Sequence, residues 1–200
     1  MPPARKSRPP APPAASRACA RIALEAVLRK SRNPADALDT QSAFTAMSVR
    51  DRAFTRLLLL TTLRRLGQID NAIDRLLEKP LPARRAPVRD ILRLGAAQLL
   101  FLNTPAHAAV DGAVALTAQS RHAALKGLVN ALLRRLARDG AALLPMQDAA
   151  RLNTSDWLWQ SWTTCYGEQR CRAIALAHMA EPPIDLSFKQ AAPAWAARLG

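Results

Sequence analysis

The chain has 200 residues, half of them apolar and only 4% aromatic, with a net charge of +14 from 29 Lys and Arg against 15 Asp and Glu. That length allows one ordinary domain, or one domain and part of a second. The Ala- and Leu-rich composition favours packed helices, because strands draw on β-branched and aromatic side chains. No apolar run approaches the ~20 residues that span a bilayer, and the proline-crowded start lacks the apolar stretch of a secretory signal. Cys19, Cys165 and Cys171 form no Cys-x-x-Cys pair, so neither a zinc site nor a disulfide framework is expected. The expected setting is cytoplasmic, with no membrane partner and no metal.

In chain order, residues 1–15 are a basic, Pro-rich arm that cannot bury enough surface to fold alone and is expected to be disordered. Ser16 reads as the cap of a first helix running to about Lys30, with Ala20, Leu24, Val27 and Leu28 on one face. Asn33-Pro34 signals a second helix start. A longer helix is predicted from about Ser48 to Leu66, ended by Gly67, and a short one through Ile69, Ile73, Leu76 and Leu77 that stops at Pro80. Pro87 then opens a helix with Val88, Ile91, Leu92, Gly95, Leu99 and Leu102 at three- and four-residue steps. Gly95 costs ~1 kcal/mol against alanine in mid-helix, which points to a close helix crossing. Asn103-Thr104-Pro105 breaks the chain and starts a helix with a stripe of small residues from Ala106 to Thr117. Leu125, Leu128, Val129, Leu132, Leu133 and Leu136 mark the next. About seven helices with short connections make an all-α bundle.

After Gly140 the texture changes. Trp157, Trp159 and Trp162 fall in one short helix ending near Tyr166-Gly167, and a second covers about Glu168 to Met179. Ile184 to Lys189 alternates apolar and polar residues and reads as one strand of an incomplete second domain. The organisation expected is an arm at 1–15, a helical domain at 16–140 and a connector at 141–200.

The positive charge is unevenly placed: residues 1–32 carry eight bases and one acid, whereas residues 141–200 carry five of each. A basic surface of this kind attracts polyanions, nucleic acid above all, and most of the bases are arginine, which pairs bidentately with phosphate.

The runs RLGAAQLLFL, PAHAAVDGAVALT and GLVNALLRRL, with Arg17–Leu24 leading to Val27-Leu28, resemble the NusB-like helical domain at the front of bacterial rRNA cytosine-C5 methyltransferases of the RsmB/Sun type. The resemblance covers about residues 16–140, and the EPPIDLSFK segment is similar to the connector of that family. It implies an RNA-binding domain that positions rRNA for S-adenosylmethionine-dependent methylation by a C-terminal methyltransferase domain. The family's methyl-donor site begins with a glycine-rich turn, and its cysteines stand in Thr-Cys-Ser and Pro-Cys contexts. The seven glycines here form no G-x-G, and none of the three cysteines has such neighbours. No catalytic residue and no bound cofactor is therefore expected in this chain; S-adenosylmethionine is expected only for a full-length relative. The alternative is a NusB-type transcription antitermination factor.

The resemblance implies RNA contact for Arg17, Arg21 and Arg29 on the first helix and for Arg5, Lys6 and Arg8 in the arm; a solvated basic tail is the plainer reading of the arm. Gly95, Pro105 and Asn130 are expected to be structural, Asn130 as a cap or a bridge between helices. The three tryptophans are expected to form a small core joining the connector to a neighbouring domain.

Overall fold

The first helix starts before its expected cap. The computed structural model describes residues 14–182, and α1 (Ala14–Lys30) contains Ser16 as a buried interior residue whose hydroxyl faces Met47 Sδ at 3.8 Å. Arm residues Arg5, Lys6 and Arg8 and the expected strand at Ile184–Lys189 lie outside the described residues. Ser31 at φ 51° turns the chain out of α1, and Asn33 caps α2 (Pro34–Asp39) by accepting the Ala35 N–H at 2.9 Å. The single turn α3 (Ser42–Thr45), too short to show periodicity, buries Phe44 and raises the bundle from seven expected helices to eight.

Ser48 caps α4 (Val49–Arg64) through the Asp51 N–H. The chain scarcely pauses before α5 (Leu66–Leu76), so Gly67 lies inside a helix and does not end one. Its role is clearance. A β-carbon at Gly67 would stand 1.7 Å from the carbonyl oxygen of Leu152.

A 3-10 turn at Ala83–Arg85 leads into α6 (Ala86–Leu100), and Asn103 at φ 47° separates it from α7 (Ala106–Ala118), which Pro105 precedes. Asparagine tolerates that left-handed backbone better than most residues. Helix α8 (Lys126–Leu143) completes the bundle. The connector follows as α9 (Ala149–Leu152) and α10 (Asp156–Met179), the latter kinked at Gly167, where φ is 77°. No strand occurs among the described residues.

Helix α6 is the axis of the domain, packed against α1, α4, α5, α7 and α8. Its buried residues go all the way round, from Val88 and Ile91 to Leu94, Ala96 and Ala97, where the sequence pattern showed one stripe. A helix apolar on every side belongs in the middle of a bundle. Gly95 lets α8 approach: a β-carbon there would sit 2.6 Å from Leu133 Cδ1. Gly127, by contrast, faces open space. Asn130 bridges no helices; its amide oxygen accepts from Arg134 Nε one turn on in α8, at 3.0 Å.

Two polar residues of α6 are fully enclosed, and arginines of α1 serve both. Arg17, 3% exposed, donates from Nε to Gln98 Oε1 and from Nη2 to the Ala108 carbonyl, each at 3.0 Å. Burial holds its pKa below the usual arginine value. Asp90 bonds to Arg29 of α1 and, at 3.0 Å, to Arg93 of its own helix. Arg93 reaches Asp70 of α5 at 2.7 Å, and Arg89 reaches Asp74 at 2.8 Å. Burial opposes the charge of Arg93, but its bonds to Asp70 outweigh that and raise its pKa.

Gln68 makes most of the hydrogen bonds that hold the connector. Gln68 donates its backbone N–H to Asn153 Oδ1 at 3.1 Å, and its side-chain oxygen accepts from Asn153 Nδ2 at 3.0 Å. Its Nε2 donates to Gln147 Oε1 at 3.2 Å, and its carbonyl accepts from Gln147 Nε2 at 3.0 Å.

Two outcomes are expected. Gly67→Ala drives a methyl group into the Leu152 carbonyl and should cost about 1–3 kcal/mol, the usual range for overpacking. Hydrogen exchange should then rise across residues 149–179 while α6 stays protected; unchanged exchange there contradicts the clearance role. Arg17→Ala strands Gln98 and the Ala108 carbonyl without their donor and should cost about 3 kcal/mol in urea unfolding. A loss below about 1 kcal/mol, the net worth of one ordinary hydrogen bond, would mean that the Arg17 bonds do not hold α1 in place.

Candidate nucleic-acid interface

The ion pairs fix helix directions. Arg17 meets Gln98 near the end of α6 and Arg29 meets Asp90 near its start, so α1 runs antiparallel to α6. The Asp70–Arg93 and Asp74–Arg89 pairs make α5 antiparallel as well. Gly95 against Leu133 and Gly140 against Leu100 make α8 parallel to α6. The ends of α1 and α5 therefore meet the starts of α6 and α8 at one end of the bundle.

That end gathers Lys30 and Arg32 around the end of α1, Arg75 and Lys79 around the end of α5, and Arg84 and Arg85 before α6. Arg121 and Lys126 join them around the start of α8. Seven of the eight are exposed and Arg85 is half-buried. None forms an ion pair among the described residues; the ion pairs nearby, Arg29–Asp90 and Arg89–Asp74, use other arginines. Glu78 follows α5 and Asp74, already paired with Arg89, lies in its last turn, so the end keeps an excess of cations. The starts of α6 and α8 add their partial positive charge, and neither helix has an acid in its first turn. Lys126 and Arg85 stand where a cation opposes the helix dipole, a local cost that a bound anion removes.

Of the residues singled out from the sequence, Arg5, Lys6 and Arg8 lie outside the described residues, and Arg17, Arg21 and Arg29 lie on α1. Arg17 faces no solvent, because Gln98, the Ala108 carbonyl and Gly112 enclose its guanidinium; this corrects its expected RNA contact. Arg21 pairs with Glu25 at 3.1 Å, and Arg29 is held by Asp90 and Glu25. Their charge is neutralised inside the fold. The basic end was visible in KPLPARRAP, residues 79–87, whose density of cations and prolines marks an exposed loop; only the tertiary arrangement adds α1 and α8 to it.

The connector tryptophans do not form one core. Trp157 is 70% exposed, Trp159 lies between the guanidinium groups of Arg151 and Arg172, each 5.3 Å from its ring, and Trp162 meets His178 edge-on. Arg172 is anchored to Asp148 at 2.8 Å, which holds the Asp148 carboxyl below its ordinary pKa. Cys19 is buried and its thiol is pushed up by burial, away from the thiolate that nucleophilic attack needs. No group of three or more metal-ligating side chains occurs among the described residues, and none of their helices is long and apolar enough to cross a membrane.

Comparison with known proteins agrees with this architecture. The NusB family pattern matches residues 14–138, the span from the start of α1 into the last turns of α8. The chain is 34% identical over 173 residues to "Ribosomal RNA small subunit methyltransferase B" of Pseudomonas syringae pv. tomato, covering 85% of this chain and 38% of that protein. The protein of the same name from Pseudomonas putida is 35% identical over 140 residues, 68% of this chain and 32% of the relative. That of Shigella flexneri serotype 5b is 33% identical over 151 residues, 72% of this chain and 34% of the relative. The chain thus spans about a third of the length of these relatives. The helical pattern, the family match and the packing around α6 agree: the chain belongs to the NusB family.

Proposed function

We propose that this chain is an RNA-binding module that holds ribosomal RNA at its basic end and presents it to an S-adenosylmethionine-dependent cytosine-C5 methyltransferase domain. The observation that carries the reading is the cluster of eight cations, without ion-pair partners among the described residues, where α1, α5, α6 and α8 meet. Cations already paired within a fold release few counterions on binding, whereas free ones give a binding energy that falls steeply with salt. The rRNA context rests on the named relatives, and the similarity to that of Pseudomonas syringae runs over 173 residues, longer than the family segment. The Gln68 contacts support the presenting role, because they tie that connector to the bundle by side-chain and backbone bonds together.

A second reading is a NusB-type transcription antitermination factor acting on nascent RNA with other proteins. It draws on the family segment, which covers the bundle alone. The matched connector favours the first reading.

Titrating the protein with small-subunit rRNA fragments over a range of salt should give a steep log–log dependence. Arg84→Glu with Arg85→Glu should flatten the slope by about 2, one per lost phosphate contact. Arg21→Glu, on the neutralised face, should change it by less than half as much. Binding undetectable at low salt overturns the RNA reading.

A further inference from the structure

At the other end of α6, about 22 Å from the basic end, the bundle and the connector enclose a cleft of about 240 Å³. Leu57, Thr61 and Arg64 line it from one face of α4, Arg65 from the α4–α5 junction, and Phe101 with Leu102 from the turn after α6. Met179 and Glu181 close it from the end of α10.

Three features of this cleft are unexplained by folding. Arg64 and Arg65 are adjacent and both half-buried, and Arg65 is held below the usual arginine pKa by burial and by the charge of Arg64. Arg65 is occupied by Gln68 and Met179 and stands 5.2 Å over the Phe101 ring, but Arg64 makes no ion pair among the described residues. Leu57 keeps 42% of its surface exposed beside them. An apolar and aromatic wall facing two like charges is poor packing but a good receptor for a flat apolar group carrying an anion.

We propose that this cleft holds one unpaired nucleotide of the bound RNA, its base against Leu57, Phe101 and Leu102 and its phosphate on Arg64 and Arg65. The inference rests on the RNA reading above. The volume suits a single nucleotide and excludes a duplex, whose bases are stacked and paired out of reach. Bases pack on aromatic and apolar side chains without regard to sequence, and the Arg65 guanidinium that covers the Phe101 ring adds a cation to the same wall. Thr61 lines the cleft one turn from both Leu57 and Arg64 and brings a hydroxyl that can donate to a sugar or phosphate oxygen. Glu181 is the one acid among the lining residues, and its charge opposes that of an entering phosphate.

The test uses the full chain and a fluorescently labelled, unstructured RNA, alone and annealed to its complement. Arg64→Gln should weaken single-strand binding about fivefold and Glu181→Gln should strengthen it about twofold, with much smaller changes for the duplex, as expected for a phosphate contact and an opposing carboxylate. Ultraviolet cross-linking to the single strand should label the peptide containing Phe101. The cleft and the basic end are far enough apart for their effects to add. If the RNA binds and responds to Arg84 and Arg85 but is indifferent to Arg64 and Glu181, the cleft inference is overturned and the RNA reading stands. If no RNA binds, both fall.

Discussion

Burial of α6 on every side is the constraint from which the rest of the domain follows. A helix enclosed by five others cannot leave a polar group unpaired, and two of its residues, Asp90 and Gln98, are polar and fully enclosed. Each is met by an arginine of α1, near opposite ends of that helix. The apolar faces bring the helices together, but that attraction is indifferent to small slides and rotations. The buried arginine bonds are not. Such pairs add little net stability compared with apolar substitutes, yet breaking one leaves an uncompensated charge that costs several kcal/mol. They select one register of α1 against α6, and through Arg93 and Arg89 they do the same for α5.

The same bonds sort the positive charge. Arginines near the middle of the bundle are absorbed by Asp70, Asp74, Asp90 and Glu25. Eight of the cations outside these pairs collect where α1, α5, α6 and α8 meet, while others, Arg134 among them, stay exposed on helix faces. A sequence with a diffuse excess of arginine thereby acquires one strongly cationic end. The α4–α6–α10 cleft shows the same principle on a smaller scale, with two adjacent arginines and one carboxylate sharing an apolar pocket.

Much of the architecture was legible in the sequence. Asn33-Pro34, Ser48 and Asn103-Thr104-Pro105 mark helix boundaries because capping and backbone restriction act within a few residues. The leucine series of α8 and the small-residue face of α7 are equally local. The misread elements each depend on a distant neighbour. Gly67 resembles a terminator, but its lack of a side chain answers to Leu152 in the connector. Ser16 resembles a cap, but the helix has already begun and its hydroxyl faces Met47. Arg17 resembles a solvated cation at the start of a basic helix, and nothing local says that Gln98 lies opposite.

The sequence by itself determined that the chain is helical, where most helices start and stop, that its charge suits a polyanion, and which family it belongs to. These properties are carried by periodicity, capping and composition, all of which act along the chain. Which arginines are available to a partner was decided only by the tertiary structure. Exposure and ion pairing are set by residues about sixty to eighty positions away, as Arg29–Asp90 and Arg17–Gln98 show. A cation near a carboxylate in space is neutral to a passing phosphate, whatever its neighbours in sequence.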